Sequence, residues 1–291
     1  AIAGDVNNDG LPDLVITEYG ATRLLLNLGG GRFEEVTRVA GLDNPRWAAP
    51  ATFIDYDRDG RLDFVITNFS EQYNTIYRKQ PDGNYLDVSR ATGTADVSMP
   101  YVGWGVKFFD YDNDGWLDIL IYGTGLRIWR NLGKAGFADV TGALELEEVE
   151  SVAAIEAADF DNDGFCDVLM TGYGALLLLH NRGDGTFEET AKPIGLTDSM
   201  WSSSAAWGDF NKDGNLDVYV AHYADWSFQK HPFCPGPKPG TRESCPPREF
   251  IGLPHTMYFN SGDGSFRDVT HECGLVPGGK GLGVLTADLD L

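Results

Sequence analysis

Five times along the chain a short, unbroken apolar run follows a polar, aspartate-rich segment. The runs are Leu14-Val15-Ile16, Phe64-Val65-Ile66, Ile119-Leu120-Ile121, Val168-Leu169-Met170 and Val218-Tyr219-Val220. Each is rich in β-branched residues and does not alternate with polar ones, which is the pattern of a strand buried on both faces. A second strand is predicted downstream, at Leu24 to Asn27, Ile128 to Asn131, Leu176 to Asn181 and Met257 to Asn260. Glycine turns follow (Gly29-Gly30-Gly31, Gly183-Asp184-Gly185, Gly262-Asp263-Gly264), where positive φ suits a hairpin. A third strand begins at Phe33, Phe137, Phe187 and Phe266, and the stretch leading into the next aspartate segment supplies a fourth. Helical periodicity is nearly absent; Leu144 to Glu150 is acidic enough for a helical turn and equally suits a solvated loop.

The aspartate segments are a repeat of nine positions. Its first position is Asp5, Asp55, Asp110, Asp159 and Asp209, its ninth Asp13, Asp63, Asp118, Asp167 and Asp217, and a sixth copy starts at Asp288 and Asp290. The first aspartates lie 50, 55, 49, 50 and 79 residues apart. Four short strands in a period of that length is the signature of a propeller blade, whereas a sandwich gives no reason for one motif to return. The predicted fold is therefore an all-β β-propeller with five four-stranded blades and part of a sixth, forming one domain over residues 1–291.

The repeat also carries chemistry. Third positions are Asn7, Asp57, Asp112, Asp161 and Asn211, and fifth positions are Asp9, Asp59, Asp114, Asp163 and Asp213. With the first and ninth positions they set oxygen donors on one side of a tight turn, and glycine at position six permits the bend. The backbone carbonyls of Leu11, Arg61, Trp116, Phe165 and Asn215 at position seven can add a ligand. Many hard oxygen donors suit calcium, magnesium tolerates such crowding poorly, and a transition metal is expected to recruit His or Cys, which no ligand position contains. An EF-hand opens in the same way but needs a glutamate at position twelve, where this chain has Ile16, Ile66, Ile121, Met170 and Val220. Metal-free Asp/Gly turns are the plainer alternative, but carboxylates this close repel one another unless a cation neutralises them. The expectation is five structural Ca²⁺ ions with affinity on the order of 10⁻⁴ to 10⁻³ M.

These loops hold much of the acidity behind the formal charge of −22. An acidic surface argues against nucleic acid and anionic lipid as partners, and no apolar run is long enough for a membrane helix. The chain starts at Ala1 with no leader-like segment, so a signal peptide has been removed or the sequence is part of a longer protein.

In the arrangement of these loops the chain resembles the FG-GAP/VCBS repeat family along essentially its whole length. More narrowly, Cys245-Pro-Pro, Gly252 to Asn260, Gly262 to Phe266, Asp268-Val-Thr270 and Gly279 to Gly283 resemble the bacterial cartilage-acidic-protein-like branch, which is associated with a UnbV/ASPIC region. The resemblance implies an extracellular propeller of roughly six to eight blades, commonly seven, serving adhesion, recognition or scaffolding.

The longest interval holds an insertion at about 222–254, centred on the Pro- and Gly-rich stretch between Cys234 and Cys245. Four cysteines allow three pairings; Cys234–Cys245 brackets the loop and is the expected disulfide, with Cys166 and Cys273 left as thiols and an oxidising compartment implied. Trp226, Phe228, His231 and Phe233 near the insertion either stack on a ligand or pack it down. Trp47, Trp104, Trp201 and Trp207 read as core or central-channel residues, and Arg182-Gly183-Asp184 reads as a glycine turn rather than an adhesion tripeptide. Five scattered histidines and the absence of hydrolase or phosphate-loop motifs argue against an enzyme. The expected function is a secreted, calcium-binding module for an extracellular protein or glycan partner. A carbohydrate-active enzyme and an oligomeric surface subunit are the alternatives.

Overall fold

The predicted strands form, each apolar run entered through an aspartate turn that reverses the chain from the strand before it. A computed structural model describes residues 1–287 apart from 43, 70, 124, 145–151, 239 and 277. The expected sixth loop (Asp288, Asp290) and most of the 144–150 segment thus lie outside the described residues.

Five four-stranded antiparallel sheets follow one another, each a meander in chain order. The first contains β1 (Ile2–Gly4), β2 (Asp13–Glu18), β3 (Ala21–Asn27) and β4 (Phe33–Glu35), and the second β5 (Ala48–Ile54), β6 (Asp63–Asn68), β7 (Thr75–Lys79) and β8 (Tyr85–Asp87). The third contains β9 (Gly103–Phe109), β10 (Asp118–Gly123), β11 (Gly125–Asn131) and β12 (Phe137–Asp139). The fourth contains β13 (Val152–Ala158), β14 (Asp167–Gly172), β15 (Ala175–Asn181) and β16 (Phe187–Glu189), and the fifth β17 (Ser202–Gly208), β18 (Asp217–His222), β19 (Thr256–Asn260) and β20 (Phe266–Asp268). These are the blades of a β-propeller. The single α-helix among the described residues, α1 (Thr94–Ser98), lies between blades two and three and was not expected from the hydrophobic pattern.

Packing divides the chain into two compact units: Ala1–Val152 with Asn181–Phe187, and Ala153–His180 with Glu188–Leu291. In the first unit, Val15, Leu24, Phe64, Ile66, Tyr77 and Tyr85 form one core cluster, and Ile54, Val65, Ile76, Ile119, Ile121 and Trp129 form another. In the second, Leu169, Leu178, Val218, Val220, Tyr258 and Phe266 fill the core. Second strands of blades two to five run buried on nearly every residue, as their unbroken apolar sequence requires, whereas β2 of blade one is only part-buried.

A backbone hydrogen bond recurs between successive blades. The aromatic that opens a fourth strand donates its N–H to a carbonyl in the preceding blade's closing turn: Tyr85 to Ala40 at 2.7 Å, Phe137 to Thr92 at 2.9 Å and Phe266 to Ile194 at 2.6 Å. This close approach explains two glycines. Gly41 and Gly195 have φ of +74° and +95°, and an added Cβ would lie 2.8 Å from the Tyr85 carbonyl oxygen and 2.3 Å from that of Phe266.

Candidate metal loops and an aromatic end

Each aspartate loop joins the first strand of a blade to the second, and the three kinds of aspartate in it do different work. The first-position carboxylate folds the turn. Asp5 accepts the N–H groups of Asp9 and Gly10 at 3.1 and 2.7 Å, and Asp209 accepts those of Asp213 and Gly214 at 3.0 Å each. The fifth-position carboxylate accepts the position-seven N–H at 2.8 to 3.0 Å in all five loops: Leu11, Arg61, Trp116, Phe165 and Asn215. The fourth position takes positive φ, between 54° and 61°, at Asn8, Arg58, Asn113, Asn162 and Lys212.

The ninth-position aspartates, Asp13, Asp63, Asp118, Asp167 and Asp217, are fully buried. In four of them the two oxygens accept separate backbone N–H groups. Asp118 takes Tyr111 at 2.9 Å and Asn131 at 2.7 Å, while Asp13, Asp63 and Asp217 take the equivalent pairs. Each thereby ties its loop to the end of the third strand. Sequence reasoning identified these residues as ligand candidates but missed this second role. Burial pushes the carboxyls of Asp63 and Asp118 up to about 7, and Asp217 also upward.

A cation fits best in the loops with four aspartates. Oxygen atoms of Asp55, Asp57 and Asp63 lie within 4.8 Å of one another, as do those of Asp110, Asp112 and Asp118 and of Asp159, Asp161 and Asp167. Asp57 Oδ1, Asp110 Oδ1 and Asp112 Oδ1 are buried and accept no hydrogen bond. Burial first, then the adjacent fifth-position aspartate, raises the carboxyls of Asp57, Asp112 and Asp161. Orphaned, mutually repelling carboxylate oxygens in a turn built from hard donors are what a divalent cation offsets. In the first and fifth loops Asn7 and Asn211 replace the third aspartate, and their amides donate to Asp9 and Asp213 at 2.9 and 2.8 Å.

The structure also brings a histidine to the fourth loop. His180 Nδ1 lies 3.1 Å from Asp167 and 3.6 Å from Asp161, although it is 13 residues from Asp167 in sequence. Its place, one residue before the asparagine that ends β15, was the only available signal. Two further histidines meet at the end of β18. His222 is buried with Nε2 2.6 Å from Asp198 and Nδ1 2.6 Å from the Pro254 carbonyl, and its backbone N–H donates to His255 Nδ1 at 2.9 Å. Burial, and after it the neighbouring His222, pushes the His255 imidazole below its ordinary pKa.

At the other end of the second strands the turns carry aromatics. In the first unit Tyr19, Trp47, Phe69 and Trp104 form a row with ring centroids 5.2, 4.4 and 5.9 Å apart. Trp47 and Trp104 are 46% and 53% exposed, which corrects the core half of the core-or-central-channel reading; Trp104 stands between Gly103 and Gly105 in β9, and Trp47 precedes the alanine-rich start of β5. In the second unit Trp201 contacts Tyr173, Tyr223 and Trp226 at 5.8, 5.2 and 5.6 Å, and Trp226 contacts Phe228 at 4.7 Å. Phe228 is 75% exposed, while Trp207 packs partly buried against the core. The insertion is closed by the Cys234–Cys245 disulfide, and Cys166 and Cys273 are thiols. Asp184 of the Arg-Gly-Asp turn spends its carboxylate on Thr186 at 3.0 Å from N–H and 2.6 Å from the hydroxyl.

Residues 5–66, 55–121 and 159–220 match the FG-GAP-like repeat. No curated protein matches the chain in sequence. Among solved structures it is similar to an Agrocybe aegerita lectin described as recognising non-reducing terminal N-acetylglucosamine. The two share 17% identity with a TM-score of 0.54 over 91% of this chain and 64% of the lectin chain. It is also similar to the Vibrio cholerae biofilm matrix protein Bap1, at 19% identity with a TM-score of 0.49 over 95% of this chain and 39% of that one. At such identities the lectin supports the fold alone. No helix among the described residues is long and apolar enough to cross a membrane.

Proposed function

The chain belongs to the FG-GAP-like repeat family, and from that premise we propose that it is a calcium-stabilised β-propeller that recognises an extracellular protein or glycan. The observation that carries the reading is the set of buried carboxylate oxygens without a hydrogen-bond donor, Asp57 Oδ1, Asp110 Oδ1 and Asp112 Oδ1. Third-, fifth- and ninth-position side chains, with the carbonyls of Leu11, Arg61, Trp116, Phe165 and Asn215, would hold the ion. When bound, calcium neutralises the loop; the chain's own residues do the folding around it.

The exposed aromatic rows support a recognition role. Rings fixed by their neighbours offer flat apolar area at little entropic cost, as a sugar face or a partner side chain requires. A disulfide in the insertion supports an oxidising, extracytoplasmic location. The Cys245-Pro-Pro and Gly252 to Asn260 segments support placement in the cartilage-acidic-protein-like branch.

Calorimetry in calcium and in EGTA tests the scaffold. Each site filled to ten times its dissociation constant adds about 1.4 kcal/mol, so the melting temperature should rise with calcium and not with magnesium. Equal melting in calcium and EGTA refutes the proposal. A glycan array and a surface-protein panel, probed with wild type and with Trp47→Ala and Phe228→Ala, test the recognition surface; binding that ignores both substitutions removes the aromatic rows from it.

A further inference from the structure

The residue one place before the end of each third strand varies in step with the third loop position. It is Leu26 in blade one and Phe259 in blade five, where the third position is Asn7 and Asn211. It is Arg78, Arg130 and His180 in blades two to four, where the third position is Asp57, Asp112 and Asp161. An apolar residue thus accompanies the amide, and a basic one accompanies the carboxylate. The contacts explain the match. Arg130 Nε lies 2.7 Å from Asp112 Oδ2, off the hydrogen-bonding line, and Nη2 donates to Asp114 Oδ2 at 3.0 Å. In loops one and five that same fifth-position oxygen, on Asp9 and Asp213, is served by the Asn7 and Asn211 amides. Arg78 holds the same register position in β7, Arg61 pairs with Asp59, and His180 meets Asp161 and Asp167.

We propose that Arg78 and Arg130 are built-in counter-charges of the metal loops, each offsetting the extra carboxylate that position three brings, with His180 in the same place in blade four. For loop three the arithmetic is direct: four aspartates less one arginine leave −3, which is the charge of the three aspartates in loop one or five. A loop of charge −4 would hold a cation more tightly but repel itself when empty. The arginine levels these demands, so that the loop folds before the ion arrives and releases it on the same scale as its neighbours. By the same count loop two, which Arg61 also contacts, is the weakest of the three.

This inference rests on the calcium reading and deepens it, and one cycle of variants in the full chain separates the two. Terbium alone is the probe, with calcium as competitor, and the component sensitised by Trp116 at position seven of loop three is read as the emission lost in Trp116→Phe. A unit charge about 5 Å from a divalent ion in a water-like dielectric is worth roughly tenfold in affinity. Arg130→Leu, and Arg130→Gln should the first not fold, should therefore bind about tenfold tighter and melt lower than wild type in EGTA. Asp112→Asn should bind more weakly. Arg130→Leu with Asp112→Asn, which rebuilds the Leu26–Asn7 pair of blade one, should return affinity toward the wild-type value. Lower melting without tighter binding makes Arg130 a packing residue and overturns the proposal, as does a double variant no nearer wild type than its parents. Wild-type protein that binds neither ion overturns the calcium reading itself.

Discussion

Asn131 ends β11 and is fully buried. Its amide nitrogen donates to the Tyr56 carbonyl, in the loop of the preceding blade, at 2.9 Å and to the Leu117 carbonyl at 3.1 Å, and its oxygen accepts the Gly133 N–H at 2.9 Å. Asn27 holds the equivalent place in blade one, where its described side-chain bonds stay within the blade. It keeps the Pro12 carbonyl at 3.0 Å and the Gly29 N–H at 2.9 Å, both partly exposed. A buried hydrogen bond is worth about 0.5–1.5 kcal/mol net. Asn131→Ala should therefore cost about 3 kcal/mol, while Asn27→Ala, with fewer and wetter bonds, should cost about 1 kcal/mol. In urea, with m near 2 kcal/mol/M, the midpoints should fall by about 1.5 M and 0.5 M. Asn131→Asp should be worse than alanine, because it turns a carboxylate oxygen toward two carbonyls. The measurement is urea unfolding by circular dichroism in saturating calcium. Equal shifts for the two alanine variants would refute the claim that this asparagine joins blades rather than merely closing its own turn.

Reduction of Cys234–Cys245 should free a loop whose closure is worth about 3 kcal/mol; limited trypsinolysis should then cut after the exposed Arg242 while far-ultraviolet dichroism stays unchanged. Cleavage at the same rate before and after reduction would show the insertion to be held by its packing instead. His255, whose imidazole is pushed below its ordinary value, accepts the His222 N–H only when neutral. The unfolded chain then takes up that proton first as pH falls, so stability should drop from about pH 7 towards pH 5. Thermal melts of wild type and His255→Gln over that window check the sign: the variant's dependence should be flatter, and an unchanged slope contradicts it.

The blades were legible because their signals are local. An unbroken apolar run such as Phe64-Val65-Ile66, a glycine turn and an aspartate turn each act within about ten residues of chain, so reading them needs no knowledge of the neighbours. The loops were legible for the same reason, down to the apolar residue at position twelve. What the sequence concealed is long-range. Asp118 reads as one more ligand, and only the third strand's arrival shows that both its oxygens are already accepting Tyr111 and Asn131. Asn131 and Arg130 recur in other blades, yet their partners lie 75 and 16 to 18 residues away, and repetition alone does not say what a residue reaches. Trp47 and Trp104 misled because tryptophan is usually buried; here the strands beside them carry Gly103, Gly105 and Ala48. His222, Asp198 and His255 share no motif at all, and Trp226, Phe228 and His231 were found as a group only because they adjoin the insertion.

The joint between blades always points backward. The opening aromatic of a fourth strand donates to the turn before it, and a third-strand asparagine reaches the previous loop; Tyr85, Phe137 and Phe266 repeat the first contact, Asn131 and Asn260 the second. Blades three and five carry both contacts, whereas blade two has Lys79 in the asparagine's place and keeps only the aromatic one. Unequal crossover within such a gene would delete or duplicate whole copies and still leave junctions between copies of this kind matched. Sequence drift inside a copy would be held back chiefly at those few plug and socket positions, so relatives should differ in copy number more freely than in the residues that join one copy to the next.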